Sequence, residues 1–394
     1  VNEDHNSVNV GRDPARQRLR TELADLLIES GDLRSQAWRQ ALLATPRDAF
    51  LPRFFMPHSE TGELVLVTTS DPEWIGVVYS NEPLVTQFDG DPGATHGVPT
   101  SSSTAPGLML RMLEALELDD GMRTLEIGTG TGYNAALLCH RVGDKNVTTI
   151  DVDPAIVETA RGRLNVLGLQ PTVIAGDGAN GWSANAPFDR IIATCAVRHI
   201  PSEWIAQTAI GGRILTTIET SLHGYALVLL VPDGRGSASG SFLRDAASFM
   251  PMRSHASPAF AQLRGRAAQT TTRRRSGLRP LDLDSDAARF AIGLALPDVS
   301  AFSITTEGGA GIYLGHHLDG SWTQVTDTGS RINVEYGGPQ DLWAVAEDTH
   351  ARWVRHREPE PSQFSLSVDA EGTQTVHLHT AQGPNTWTSF DAKR

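Results

Sequence analysis

The sequence predicts an α/β protein built on a Rossmann-like, mostly parallel sheet, and three observations predict it. A short apolar run at residues 125–127 leads into a glycine-punctuated turn, Gly128-Thr129-Gly130-Thr131-Gly132, and then into a helical segment at 133–141. Further short apolar runs at 147–150, 172–175 and 188–193 alternate with helical or loop segments. They deliver Asp151, Asp177 and Thr194 to their carboxyl ends. Strands that alternate with helices specify a parallel sheet, and the ligands of such sheets sit beyond the strands' carboxyl ends.

Each element has its own reason. Residues 1–15 are polar, without an apolar h-region, and are expected to be disordered and not to direct secretion. Leu19-Leu23-Leu26-Leu27 and Trp38-Leu42-Leu43 are spaced as two helices, an N-terminal helical cap. The run at 125–127 is apolar enough for a strand covered on both faces, and the glycines after it let the backbone turn sharply beside a ligand. Their spacing is G-x-G-x-G rather than the G-x-G-x-x-G that seats a pyrophosphate, and no Lys-Ser/Thr pair follows. A nucleoside cofactor without phosphates fits better, and S-adenosylmethionine leads, with Glu126 and the loop amides at its amino-acid end. Asp151 lies at a strand tip, where a carboxylate accepts from ribose hydroxyls. Asp153-Pro154 reads as N-cap and first helical residue of a helix reaching about residue 167. Asp177, before Gly178, either accepts from the adenine amino group or caps a turn.

Several of these segments resemble the protein-L-isoaspartate O-methyltransferases. The motif at 125–135, Asp177-Gly178 and Pro187-Phe188-Asp189 look like that family's methyltransferase motifs. Thr45-Pro46-Arg47-Asp48-Ala49-Phe50-Leu51-Pro52 and Tyr79-Ser80-Asn81-Glu82-Pro83-Leu84 are similar to its upstream segments, and Phe249-Met250-Pro251-Met252 to the strand that closes its sheet. The resemblance spans about residues 15–255 and implies a class I S-adenosylmethionine methyltransferase fold. The expected cofactor-binding set is Ser101, Glu126, Gly128, Thr129, Gly130, Gly132, Asn134, Asp151, Val152, Asp177, Gly178 and Thr194.

Two segments depart from the family pattern. Where the repair enzymes carry a serine before the helix, this chain has Thr104 preceded by Ser101, Ser102 and Ser103. Such hydroxyls ordinarily cap a helix; the resemblance implies contact with a substrate carboxylate and makes Thr104, Ser103 and Ser102 the catalytic candidates. The segment Ala196-Val197-Arg198-His199-Ile200-Pro201 is charged where the family has an Ala/Pro-rich stretch. Val197, Arg198 and His199 are therefore expected to bind substrate, Arg198 as a carboxylate clamp and His199 as either a packing or a catalytic residue. An insertion at 87–98 and a long C-terminal extension make the chain similar to variant methyltransferases encoded with ribosomally made peptides, of the graspetide type with the lanthipeptide type as sister group. That likeness implies methylation of an aspartate in a precursor peptide already macrocyclised by an ATP-grasp ligase, the ester then closing to an aspartimide. The alternatives are an isoaspartate repair enzyme with an appendage and a non-catalytic, peptide-binding partner of a peptide ligase.

Composition bounds the partners. A net charge of −13 disfavours nucleic acid, and no apolar run approaches the roughly 18 residues of a membrane span. Cys139 and Cys195, the two cysteines, indicate reduced thiols and a cytoplasmic protein rather than a disulfide frame or a metal site. Length implies two domains: a catalytic part at 16–255, an arginine-rich linker at 256–280, and a C-terminal α+β accessory domain at 281–394. The linker carries Arg264, Arg266, Arg273, Arg274, Arg275 and Arg279, either as a solvated join or as an attractor of acidic peptides. The accessory domain is expected to hold a helix at 287–296, strands near Ile304, Ile312 and Val334, a helix at 339–354 and a closing hairpin around Phe364–Val368 and Val376-Leu378. His377 and His379 share a strand face without a third metal ligand.

Overall fold

The computed structural model describes residues 13–58, 62–91, 93–245, 247–306 and 309–391. Most of the N-terminal segment expected to be disordered, residues 1–12, lies outside them. The chain forms two units, one of residues 1–195, 201–215 and 231–234, the other of residues 196–200, 216–230 and 235–394.

The first unit opens with α1 (Pro14–Glu29) and α2 (Gln36–Ala44), begun by side-chain caps: Asp13 accepts from Ala15 N at 2.9 Å and Ser35 from Trp38 N at 3.3 Å. Leu23, Ala24, Leu27, Trp38 and Leu42 are their buried faces, the predicted helical cap. The next element is unforeseen. Strands β1 (Arg53–Pro57), β2 (Leu64–Thr68), β3 (Leu84–Phe88) and β4 (Pro99–Ser103) form an antiparallel sheet in the order β2-β1-β3-β4, with α3 (Trp74–Val78) between β2 and β3. The serine cluster belongs to β4, where cross-strand pairing with Leu84, Val85 and Gln87 overrides the weak strand preference of serine. Helix α4 (Pro106–Ala115) follows.

The predicted Rossmann-like part then appears nearly residue for residue: β5 (Thr124–Ile127), α5 (Tyr133–Val142), β6 (Val147–Asp151), α6 (Pro154–Val166), β7 (Thr172–Ala175), β8 (Phe188–Val197), α7 (Ser202–Ala206) and β9 (Thr208–Glu219). The order is β7-β6-β5-β8-β9, and β7, β6, β5 and β8 are parallel. All four residues of β5 are buried, as a central strand requires. Burying side chains such as Leu125 and Ile127 contributes about 1.5–3 kcal/mol each. Asp153 accepts from Ala155 N and Ile156 N, capping α6 as Asp-Pro predicts.

The second unit takes the ends of β8 and β9 together with β10 (Tyr225–Pro232), except its last residues, and β11 (Ala238–Phe242). It continues through α8 (Phe260–Arg266), β12 (Thr272–Ser276), α9 (Asp286–Gly293), β13 (Val299–Thr306), β14 (Gly309–His316), β15 (Trp322–Asp327), β16 (Ile332–Gly337), α10 (Leu342–Arg355), β17 (Phe364–Val368), β18 (Thr373–Thr380) and β19 (Gly383–Asp391). One of its sheets runs β9-β10-β11-β17-β18-β19, the other β12-β16-β15-β14-β13. Phe242, Phe290, Phe364 and Trp387 pack edge to face at 5.0–5.9 Å in its core.

Three expectations change here. The closing hairpin is a three-stranded meander, because β19 pairs along the whole of β18. The arginine stretch, expected as a solvated join, carries regular structure: Arg273–Arg275 lie on the largely exposed β12, paired to β16, and Arg264 and Arg266 end α8. Charge periodicity hid this strand, since Arg274 finds its partners, Asp341 and Glu347, far along the chain at 2.6 and 2.8 Å. Phe249–Met252 forms no strand of its own. It makes one parallel bridge to Ala196, and Pro251, lacking an N–H, cannot extend a ladder.

Candidate active site

The glycine turn is held from below by a buried carboxylate. Glu126 Oε1 accepts from Asn134 Nδ2 at 2.7 Å and Oε2 from Thr149 Oγ1 at 2.6 Å, while Thr149 Oγ1 lies 2.7 Å from Thr129 Oγ1. Burial pushes the Glu126 carboxyl up to about 7, against the lowering effect of those two bonds. This corrects the expectation that Glu126 faces the cofactor: its oxygens are committed inside the protein, where they fix the turn. Thr129 does the same through its hydroxyl. Thr194 Oγ1 lies within bonding distance of Ile127 O and Gly128 O, at 3.1 and 2.8 Å, and also serves the turn.

Gly128, Gly130 and Gly132 adopt φ of +99°, +51° and +88°. A Cβ on Gly128 would come within 2.7 Å of Thr194 Oγ1, so the turn is both left-handed and closely packed. Asp151 closes the other side: Oδ2 accepts from Gly130 N at 3.0 Å and Oδ1 from Asp153 N at 3.1 Å. These two bonds orient the carboxylate at the tip of β6. Beside it Val152 is 41% exposed, an apolar surface for a planar base. Asp177 accepts from Ala179 N at 2.9 Å and thereby caps the turn Gly178–Asn180. Gly178 is required by packing, since a Cβ there would meet Ile127 Cγ2 at 2.4 Å.

One atom of this cradle is orphaned. Asn134 Oδ1 is buried without a hydrogen-bond partner at the first turn of α5. A buried unpaired acceptor costs about 1–3 kcal/mol, and a cofactor's ammonium group would satisfy it. With a glycine turn that carries no phosphate-binding lysine, these residues fit a phosphate-free nucleoside bearing an amino-acid tail.

The serine segment lies against this turn. A Cβ on Gly130 would stand 3.5 Å from Ser102 O, so the end of β4 runs beside the second glycine. The hydroxyls are not caps: α4 begins after Ala105 without a side-chain cap, and its amide at Gly107 donates instead to Asn81 Oδ1 at 2.7 Å. Ser101 Oγ accepts from Thr86 Oγ1 at 3.1 Å. Arg47 organises the segment. It is fully buried and donates to the carbonyls of Val78, Ser80, Glu82 and Thr104 at 2.9–3.2 Å, and to Ser103 Oγ at 3.4 Å. Desolvation pushes its guanidinium down to about 10, still charged at neutral pH. An arginine flanked by Pro46 and Asp48 within an otherwise apolar segment was the signal available in sequence.

The remaining predicted residues belong to the second unit. Val197 is fully buried, as Ala196 beside it is, so its side chain is core and not the substrate contact expected. Arg198 donates Nη1 to Val299 O at 3.1 Å and Nη2 to Ser257 Oγ. The His199 ring stacks on His255 at 4.1 Å. Cys195 is a thiol that burial pushes up to about 12, which removes it as a nucleophile.

A parallel sheet whose glycine turn and strand tips cradle a phosphate-free nucleoside defines a class I S-adenosylmethionine-dependent methyltransferase fold. Residues 17–233 match the protein-L-isoaspartate(D-aspartate) O-methyltransferase (PCMT) family, and the chain belongs to it. It is 31% identical over 218 residues to a protein-L-isoaspartate O-methyltransferase of Ignicoccus hospitalis, covering 54% of this chain and 89% of the relative. A Methanothermobacter thermautotrophicus relative of the same name is 32% identical over 213 residues, covering 54% and 84%. A solved protein-L-isoaspartate O-methyltransferase aligns with 92% of this chain and 100% of its own at a TM-score of 0.56 and 22% identity, a likeness of fold. Among the described residues no helix is long and apolar enough to cross a membrane.

Proposed function

We propose that this protein is an S-adenosylmethionine-dependent O-methyltransferase that esterifies an aspartate side chain of a ribosomally made, macrocyclic peptide, the ester then closing to an aspartimide. The observation that carries the carboxyl-transfer part is the run of Ser102 beside Gly130, which puts hydroxyl-bearing residues next to the cofactor cradle. The peptide part is supported by the departures from the repair pattern: the hydroxyl run at 101–104, the charged Arg198-His199 pair and the extension beyond residue 255. Its partners on this reading are the precursor peptide and the ATP-grasp ligase that cyclises it, in the cytoplasm, where both thiols stay reduced.

When bound, S-adenosylmethionine supplies an electrophilic methyl group on a sulfonium. Asp151 would hold the ribose, Val152 the base and Asn134 Oδ1 the amino group. The substrate carboxylate, with a reference pKa of about 4, is already ionised and needs no general base. The protein's work is therefore positioning and exclusion of water. Thr104 and Ser103 orient the carboxylate through hydroxyl donors, which hold it without the full neutralisation a cation would cause. Arg47 fixes that segment's main chain.

The test incubates the protein and labelled S-adenosylmethionine with the linear and macrocyclic forms of a precursor peptide encoded beside it. Mass spectrometry should show gain of one methyl and then loss of methanol on the macrocycle. The family match favours a second reading, isoaspartate repair; rapid turnover of short isoaspartyl peptides, with none of the macrocycle, would establish it in place of the first.

A further inference from the structure

A cavity of about 190 Å³ opens in the second unit, and all its lining residues belong to that unit. Its polar wall includes Arg198, His199, His255, His317, Glu219 and Asp298. The volume is far above the roughly 15 Å³ that admits a single water, and below the roughly 300 Å³ at which drug-sized sites begin. It suits a group of about one amino-acid residue.

The donors in this wall are incompletely used. With Nη1 and Nη2 engaged by Val299 O and Ser257 Oγ, Arg198 Nε is buried without a partner. Arg198 N donates to His255 Nδ1 at 3.3 Å, which places the proton of a neutral His255 on Nε2. Burial first, and Arg198 second, push His317 down to about 4, so it is neutral at neutral pH. The acceptors differ in availability. Glu219 Oε1 already faces His223 Nδ1 at 3.0 Å and Tyr225 Oη at 3.1 Å, whereas Asp298 is exposed. A bare anion would be repelled by these two carboxylates. A ligand carrying a carboxylate next to an N–H donor answers both sides of the wall. Among the described residues no three His, Cys, Asp or Glu side chains are grouped to hold a metal ion.

We propose that this cavity binds an acidic residue of a peptide, its side-chain carboxylate at the Arg198 guanidinium and its main-chain N–H toward Asp298. The assignment of a peptide as ligand rests on the function proposed above. It adds a recognition subsite to which the family segment at 17–233 contributes Arg198, His199 and residues 218–221, and the C-terminal extension the rest.

The probe is N-acetyl-aspartate N-methylamide, titrated into the full chain without cofactor, so that failure here is separate from failure of methyl transfer. Calorimetry should give saturable binding, and the ring resonances of His199 and His255 should shift together in the wild-type protein. The asparagine analogue and succinate, which lack the charge and the N–H respectively, should each bind at least fivefold more weakly. Arg198→Gln should weaken the aspartate probe at least tenfold, with its thermal unfolding midpoint as the control for folding. Absence of saturable histidine shifts in the wild type overturns the proposal, as does unchanged affinity in a folded Arg198→Gln protein. Succinate binding as tightly as the aspartyl probe overturns the peptide assignment.

Discussion

Glu126 is the residue whose position in the sequence misleads most. A carboxylate two residues before the glycine turn reads as a ligand contact, yet β5 is covered on both faces and Glu126 is fully buried, where Asn134 and Thr149 satisfy it. Its carboxyl titrates near 7 in the folded protein and near 4.3 when unfolded. Between those values the folded state binds more protons than the unfolded one, so this residue's contribution falls as pH rises through the window and levels off above it. The shift corresponds to on the order of 3 kcal/mol. Urea unfolding at pH 5 and pH 8 should accordingly show the wild type losing stability relative to Glu126→Gln. An unchanged difference between the two proteins would mean that Glu126 is not buried as a neutral acid.

At the scale of elements, the site depends on a strand and a helix start that share one arginine. Arg47 donates to carbonyls in the turn before β3 and at Thr104, and to Ser103 Oγ at the end of β4, while Asn81 Oδ1 accepts from the first turn of α4. Replacing it with methionine leaves several buried carbonyls unpaired, each costing about 1–3 kcal/mol. Arg47→Met should therefore lose at least about 3 kcal/mol in chemical unfolding, and the surviving folded fraction should show a lower kcat through displacement of Ser103 and Thr104. A kcat equal to the wild type's would separate Arg47 from the site. Elements of the parallel sheet were legible because apolar runs and glycines mark them locally. The antiparallel sheet of β1–β4 was not, because its register is set by cross-strand partners 7–30 residues away and its last strand is written in serine.

For the whole molecule, charge would decide how an acidic peptide of the kind proposed above approaches. The net charge is −13, and the arginine stretch does little to offset it. Arg273 pairs with Glu335 at 2.9 Å, Arg274 with Asp341 and Glu347, and Arg279 lies 3.9 Å from Asp327. Long-range repulsion should then outweigh steering, and added salt screens it within about 8–10 Å. The KM for an acidic peptide is expected to fall as ionic strength rises from low to physiological values; a rise would restore the arginines as an electrostatic guide.

The chain's order of apolar runs, its glycine turn and the strand-tip Asp151 are local signals, and from them the sequence alone determined the parallel sheet and the cofactor class, since each needs only neighbouring residues to be recognised. Which polar side chains face a ligand was decided by tertiary structure. Glu126 and Val197 point inward, Asp177 caps its own turn, and Arg198 joins a histidine-lined cavity built from residues as distant as Asp298 and His317. The direction of a side chain depends on pleat, register and long-range partners, and those exist only once the chain has folded.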